Sequence, residues 1–265
     1  MSDGQRSIIS LTTDFGVSDP YVGVMKGVIL SKHRDVTIVD LGHGVPSQSV
    51  LAGAFVVKSH HQYFPAGTVH VVVVDPGVGT ERPILAATAG GFTFLAPDNG
   101  ILSQTLELYD DVAVHHVTNR DLFLDDVSRT FHGRDIFSPV AAALASGLPL
   151  AEVGPKVDDY QKLPLTPPIR EGDALVGEIL FVDGFGNLIT NISNDVLSRY
   201  LEGRPAPRVH FKGIEIEGLT ESYAAARRGQ MIALIDSYDM LEIAMTSGNA
   251  RNILQGRVGE TVKVQ

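Results

Sequence analysis

The four consecutive valines Val71 to Val74, closed by Asp75-Pro76-Gly77, constrain this chain more than any other stretch. β-Branched side chains crowd a helix but pack well on a pleated surface, so such a run reads as a fully buried, parallel strand. Asp-Pro-Gly ends it abruptly, Gly79 leaves the next turn free for a close approach, and Arg82 follows. A carboxylate and a guanidinium thus stand at the carboxyl end of a core strand, the edge at which open α/β sheets bind ligands. A plainer role suits the pair as well: a strand-ending Asp and a solvated Arg.

The flanking pattern extends that strand into a domain. Ser7 to Thr13 reads as a first strand ending in Asp14-Phe15-Gly16, followed by a helix capped by Ser18 or Asp19, with Pro20 near its first position and Val22, Met25, Val28 and Ile29 as its buried stripe. Val36 to Asp40 is a second strand, Val50 to Tyr63 a second helix, and Val69 to Asp75 the third strand. This alternation predicts βαβ crossovers and a mainly parallel sheet. Past Pro83, Ile84 to Thr88 and Phe92 to Leu95 form a hairpin about Gly90-Gly91, and short helices follow near Ser103 to Tyr109 and over Ile136 to Ala145. The proline-rich run Leu163 to Pro168 marks a boundary, giving an α/β domain over residues 1–165 and a second domain over 166–265. There the texture is short strands: Leu175 to Val182, Leu188 to Ile192, Arg208 to Ile216, Met231 to Ser237 and Val258 to Val264, the pattern of a small β-barrel or sandwich.

Composition narrows the function classes. With 31 acidic and 21 basic residues the net charge is -10, which disfavours nucleic acid and anionic membranes as partners and suits a cationic small substrate. There is no cysteine, so thiolate nucleophiles, disulfides and Cys-zinc sites are excluded. No membrane-spanning run and no signal peptide are evident, so a cytoplasmic protein is expected. No Gly-x-Gly-x-x-Gly follows the first strand, and neither a Walker Gly-Lys-Ser/Thr nor a Gly-x-Ser-x-Gly elbow occurs, against a dehydrogenase, an ATPase or an ordinary serine hydrolase. The adjacent histidine pairs 60/61 and 115/116 offer no metal-binding spacing.

Three loop ends of the first domain gather the chemistry: Asp14-Phe15-Gly16, Asp75 with Arg82, and His132 with Arg134 and Asp135. A carboxylate and a guanidinium position and polarise, while an imidazole relays a proton near neutral pH. Singly, each has a structural use, His132 as a helix cap among them. In the second domain, Asp183-Gly184-Phe185-Gly186-Asn187 either turns a hairpin or presents an Asp, an Asn and a stacking Phe to an amine and a purine edge.

Five motifs in order resemble one family: Leu-Thr-Thr-Asp-Phe-Gly, Val-Asp-Pro-Gly-Val-Gly before Arg82, Ala-Pro-Asp-Asn-Gly, Phe-His-Gly-Arg-Asp, and Asp-Gly-Phe-Gly-Asn-Leu-Ile-Thr-Asn-Ile. Together, from Ile8 to about Val264, they resemble the adenosine-forming S-adenosylmethionine hydrolases, the hydroxide adenosyltransferase relatives of the bacterial fluorinase and chlorinase. The resemblance implies an N-terminal α/β domain, a C-terminal β-barrel and a homotrimer with active sites where one subunit's N-terminal domain meets its neighbour's C-terminal domain. It implies Asp75, Arg82 and His132 as the water-activating set and Asp14 as the partner of the ribose hydroxyls, with Asp19 also on the substrate side. Asp183 and Asn187 would reach the methionine and adenine ends, Ser237, Tyr238 and Glu242 the methionine, and Met245 the adenine. S-adenosyl-L-methionine is then the substrate, with no cofactor and no metal.

Departures from the halogenating relatives bear on the choice within the family. Those carry a tyrosine at the place of Asp75, a tyrosine-serine pair at His132-Gly133, a basic residue at Tyr238, and a long insertion where Thr88 to Phe92 forms a tight turn. A carboxylate repels a halide in a desolvated pocket, so the expected reaction is hydrolysis. The alternatives are a chloride-using adenosyltransferase and a non-catalytic sensor of S-adenosylmethionine or adenosine.

Overall fold

A computed structural model describes residues 6–164 and 166–265. The chain divides into two compact units, Met1–Pro164 and Leu165–Gln265. The expected boundary falls on Leu165, which lies outside the described residues, as do residues 1–5 of the stretch read for a signal peptide.

The first unit is built on a seven-stranded sheet. Its strands are β1 (Ser7–Thr13), β2 (Val36–Gly42), β3 (Val69–Val73), β4 (Ile84–Ala89), β5 (Phe92–Pro97), β6 (Ala113–His116) and β7 (Lys156–Val157), in the order β2-β1-β3-β5-β4-β6-β7. Helices α1 (Tyr21–Lys32), α2 (Val50–His60), α3 (Ser103–Leu106) and α4 (Ser138–Ala145) complete it. The strands from β2 to β5 pair in parallel, whereas β5, β4, β6 and β7 pair antiparallel. The sheet is broadly as expected, parallel over β2, β1, β3 and β5, but not purely so, because the Gly90-Gly91 turn reverses the chain with no room for a crossover helix.

Period-two alternation sorts the strand residues onto two faces. Ile9 and Leu11 of β1 and Val69, Val71 and Val73 of β3 pack with Met25 and Ile29 of α1 and Val140 and Ala141 of α4 in one core. Val74 meets α2, where an added Cβ at Gly53 would lie 3.1 Å from its Cγ2. Helices thus cover both faces, which is why the strands read as unbroken apolar runs. Helix α1 starts after Pro20, with no side-chain cap from Ser18 or Asp19, and Val28 is only partly buried.

The second unit carries β8 (Ile169–Glu171), β9 (Ala174–Val182), β10 (Leu188–Ser193), β11 (Arg208–Phe211), β12 (Ile214–Glu217), β13 (Met231–Ile235), β14 (Met240–Met245) and β15 (Thr261–Val264). They run β12-β11-β15-β9-β10-β14-β13, with β8 on β9 and every pairing antiparallel. The end strands β12 and β13 approach each other, so the sheet curls into a nearly closed barrel about Ile179, Leu188, Ile192, Val209, Phe211, Leu241, Ile243 and Val262. Arg208 to Ile216, expected as one strand, is a hairpin: Lys212 takes φ 47° and Gly213 φ 80° at its turn. Helices α5 (Asn194–Leu201) and α6 (Ala250–Leu254), capped by the Ser193 hydroxyl and the Asn249 carbonyl, and strand β14 were not foreseen. Among the described residues no helix is long and apolar enough to cross a membrane.

One buried polar cluster lies on the α2 face. Ser10 Oγ and His70 Nδ1 are 2.6 Å apart, and His61 Nε2 lies 2.6 Å from the Tyr109 hydroxyl. The ring of His70 stacks on Phe94 at 5.3 Å. Burial, and then the neighbouring His61, push the His70 imidazole down to about 3. An unfolded His takes a proton below its ordinary value near 6.5 while folded His70 does not, so its contribution to stability is complete above that pH and erodes as pH falls. The double variant Ser10→Ala/His70→Phe is expected to flatten the acid limb of a stability-against-pH curve between about pH 6.5 and 3, as measured by urea midpoints. An unchanged limb would assign the acid sensitivity elsewhere.

Candidate active site

Strand β3 ends at Val73, and the chain then turns through Asp75-Pro76-Gly77 to Arg82. Gly79, at φ 79°, lies against the Arg129 carbonyl, where no side chain would fit. That contact brings the Asp75–Arg82 turn beside the loop leading to His132. Arg82 Nε donates to Asp75 Oδ1 at 2.7 Å, and its second nitrogen pairs with Asp75 Oδ2 in a two-pronged clasp. The same nitrogen lies 3.0 Å from His132 Nδ1. The side chains of Arg82 and Asp75 are 10% and 5% exposed, so the pair is held nearly out of water. Removing one partner of such a pair strands a buried charge and costs about 3–5 kcal/mol.

An arginine only donates, so His132 Nδ1 is the acceptor and the ring proton sits on Nε2. Burial first, and then the Arg82 charge, lower the His132 pKa despite the opposing pull of Asp75 and Asp135. The imidazole is accordingly neutral at pH 7. His132 opens a π turn, Gly133–Phe137, that runs into α4. An extra Cβ at Gly133 would meet Met25 Sδ and Phe131 Cε2 at 3.2 Å each, so this turn packs directly on α1. Arg134 and Asp135 do not join the set. Asp135 is fully buried and accepts from Ser128 N at 2.8 Å, Ser128 Oγ at 2.7 Å and Arg134 Nε at 2.5 Å, tying down the loop before His132.

Asp75, His132 and Asp14 line one cavity of about 310 Å³ together with Phe15, Tyr21, Gln48 and Phe131. Arg82 is not part of the lining and holds its two partners from behind. Asp14 Oδ2 accepts the Gln48 N–H at 2.7 Å, and Gln48 adopts φ 61° to offer it. Phe15, Tyr21 and Phe131 form an aromatic triangle, with centroids 5.2 to 5.9 Å apart, on the same wall. Asp19 is exposed and does not line the cavity.

The second unit has its own cavity, about 1030 Å³, lined by Asp183, Asn187, Ser237, Tyr238, Glu242 and Met245. Asp183 Oδ1 accepts the N–H groups of Phe185 at 2.9 Å and Asn187 at 2.8 Å, which folds the Gly-Phe-Gly turn and leaves Phe185 78% exposed at the cavity wall. Asp236 Oδ1 likewise accepts from Tyr238 and Met240 N–H, at 2.8 and 3.0 Å, setting Ser237 and Tyr238 on the turn between β13 and β14. Tyr223, unremarked in the sequence because its segment has no periodicity, donates to Glu242 Oε1 at 2.6 Å and receives Asn187 Nδ2 at 3.3 Å. Burial and the nearby Asp236 and Asp183 raise Glu242 to about 7, although the Tyr223 bond pulls it down. Four carboxyls (Asp183, Glu221, Asp236, Glu242) and one basic residue, Arg228, line this wall, which suits a cation.

Residues 9–154 match the SAM hydroxide adenosyltransferase N-terminal domain, and residues 177–263 match the SAM hydroxide adenosyltransferase C-terminal domain. The (R)-S-adenosyl-L-methionine hydrolase of Salinispora tropica is 38% identical over 264 residues, covering 97% of each chain. A fluorinase of Actinopolyspora mzabensis is 30% identical over 226 residues, or 74% of this chain and 75% of that one. A crystal structure of an uncharacterized conserved protein from Thermotoga maritima shares the fold at a TM-score of 0.89 and 35% identity, over 97% of this chain and 99% of the other.

Tyr223→Phe deletes the one hydrogen bond that lowers the Glu242 carboxyl. Its titration midpoint is expected to move above the native value of about 7, followed by carbon NMR of labelled glutamate. A midpoint that stays or falls would show that the hydroxyl does not hold the ionised form.

Proposed function

Because the chain belongs to the SAM hydroxide adenosyltransferase family, we infer that it hydrolyses S-adenosyl-L-methionine to adenosine and L-methionine. The observation that carries this reading is a carboxylate and a neutral imidazole on one cavity wall, both held by a single guanidinium behind them. A water seated there meets Asp75 as acceptor, while the clasp fixes where that acceptor sits. Its oxygen attacks ribose C5′, the C5′–O bond forms as the C5′–S bond breaks, and the electron pair leaves on sulfur as a neutral thioether. The water's proton passes to Asp75 and on to solvent. The sulfonium needs no leaving-group acid, so orientation and desolvation of the water supply the catalysis. His132 keeps Nδ1 engaged with Arg82 and serves as an uncharged orienting neighbour rather than a cation that would repel the sulfonium.

We extend the reading to the remaining site. Asp14 offers a carboxylate to the vicinal ribose hydroxyls, and the acidic wall of the second unit receives the charged methionine end through Asp183, Ser237, Tyr238 and Glu242, with Asn187 and Met245 toward adenine. In this proposal the chain is a homotrimer, the cavity of one subunit's first unit being completed by the second unit of a neighbour, and the reaction uses neither cofactor nor metal. The Salinispora relative's name specifies the R form. The L prefix already fixes the α-carbon, so R describes the sulfonium centre, and we carry that preference to this chain.

Purified protein incubated with each sulfonium epimer, in chloride and in acetate, is expected to release adenosine and methionine in both salts and faster from the R epimer. A chlorinated nucleoside formed only in chloride would move the chain to the halogenating branch, and binding without product would make it a sensor. Asp75→Ala and His132→Ala should lower turnover about 100-fold or more with little change in adenosine affinity, whereas Asp14→Ala should weaken binding itself. Equal losses of affinity in all three would abolish this division of roles.

A further inference from the structure

Behind Asp14 lies a second polar chain that the reaction does not touch. His43 stands just past the end of β2, and its side chain is 4% exposed. His43 Nδ1 is 2.9 Å from Oγ1 of Thr13, a fully buried residue next to Asp14. Thr13 Oγ1 accepts the Phe15 N–H at 3.2 Å, so its own hydrogen is free to go to His43 Nδ1. His43 Nε2 lies 3.0 Å from Asp40 Oδ1, an ion-pair distance without hydrogen-bond geometry. Asp40 Oδ2 in turn takes Lys26 Nζ of α1 at 2.6 Å, and the His43 carbonyl accepts the Gly16 N–H at 2.8 Å. A β-bulge lies in the same place: Leu11 pairs with Asp40 but Thr12 with Gly42, leaving Leu41 as the extra residue. Bulges re-aim side chains beside functional sites. His43 therefore grips the Asp14 turn from both sides, by its ring at Thr13 and by its backbone at Gly16.

We propose that His43 is a positioning residue for ribose recognition: through Thr13 it fixes the turn that presents Asp14 to the vicinal hydroxyls. The proposal rests on the reading of Asp14 as the diol partner. A carboxylate holds two hydroxyls at once only if its plane is aimed, and among the described residues Asp14 receives one bond of its own, from Gln48 N. The Thr13–His43–Asp40–Lys26 chain supplies the rest of the aim by locking the residue before it.

Discrimination between adenosine and 2′-deoxyadenosine isolates this role, since only the second hydroxyl differs. Affinities of the full chain for both nucleosides, by titration calorimetry, would be compared among the native protein and Thr13→Val, Thr13→Ser, His43→Ala and His43→Asn. The native protein is expected to favour adenosine. Thr13→Val and His43→Ala should each shrink that preference by about fivefold or more, while Thr13→Ser and His43→Asn, which keep the hydrogen bond, should restore most of it. An unchanged ratio in Thr13→Val and His43→Ala, or equal weakening of both nucleosides, would overturn the proposal and leave His43 a packing residue. Should His43→Ala fail to fold, the Thr13 pair decides alone. A native protein that turns over S-adenosyl-L-methionine yet binds both nucleosides equally would remove the diol role of Asp14, and the proposal with it, while the hydrolase reading stands. No turnover at all would strike that reading instead.

Discussion

The Asp75–His132 side of the first cavity depends on one guanidinium. Arg82 closes the turn from β3 with two bonds to Asp75 and reaches across to His132 on the loop before α4. Those residues lie 50 positions apart in sequence, and no strand pairing joins their loops. Without Arg82, Asp75 would be a nearly buried carboxylate with no partner for its charge, an arrangement that is strongly unfavourable. With Arg82, the carboxylate is paired, the imidazole stays neutral, and both positions are fixed before any substrate arrives. Such advance placement is where catalysis on a sulfonium can gain most, since the leaving group asks for nothing.

The two units answer opposite electrostatic needs. The first sets the arginine-paired carboxylate of Asp75 beside a neutral imidazole. The second gathers several carboxyls around one cavity, where Glu242 is pushed up to about 7 by burial and by its acidic neighbours. Tyr223 moderates that crowding by donating a hydrogen bond, and Asn187 extends the chain to Asp183. In the proposed reading, a zwitterionic amino acid bearing a sulfonium would bring excess positive charge to that wall, which suits it more than the neutral thioether does.

Much of this was legible in the chain, and what escaped did so for physical reasons. The valine run, the Gly-Gly turn and the Asp-Pro-Gly stop are local signals, and each gave an element within a residue or two of its place. Strand β14 was missed because Glu242 interrupts an otherwise apolar Met-Leu-Glu-Ile-Ala-Met run, and a buried carboxyl breaks the alternation on which strand reading rests. The hairpin at Lys212 was missed because a lysine at φ 47° advertises no turn. At the site, motif residues stood out by type, whereas Gln48 acts through its backbone N–H and Tyr223 through a partner on another strand. Arg134 and Asp135 show the converse: suited by type to chemistry, they are spent on holding a loop.

That contrast bears on how the site keeps its shape. Asp135, Asp183 and Asp236 each accept two or more hydrogen bonds from nearby backbone or side-chain donors, so these carboxylates build turns. Asp75 is held by side chains alone, and Asp14 by a single N–H from a residue in the left-handed region. The more a carboxylate is engaged by its own fold, the less lone-pair capacity it has for a ligand. On that ordering Asp14 is the most available carboxylate at the first cavity and the least constrained by direct bonds. Its orientation has to come from the segment beneath it, which is why a bulge, a buried threonine and the histidine that contacts that threonine through Nδ1 converge on the one residue that precedes it.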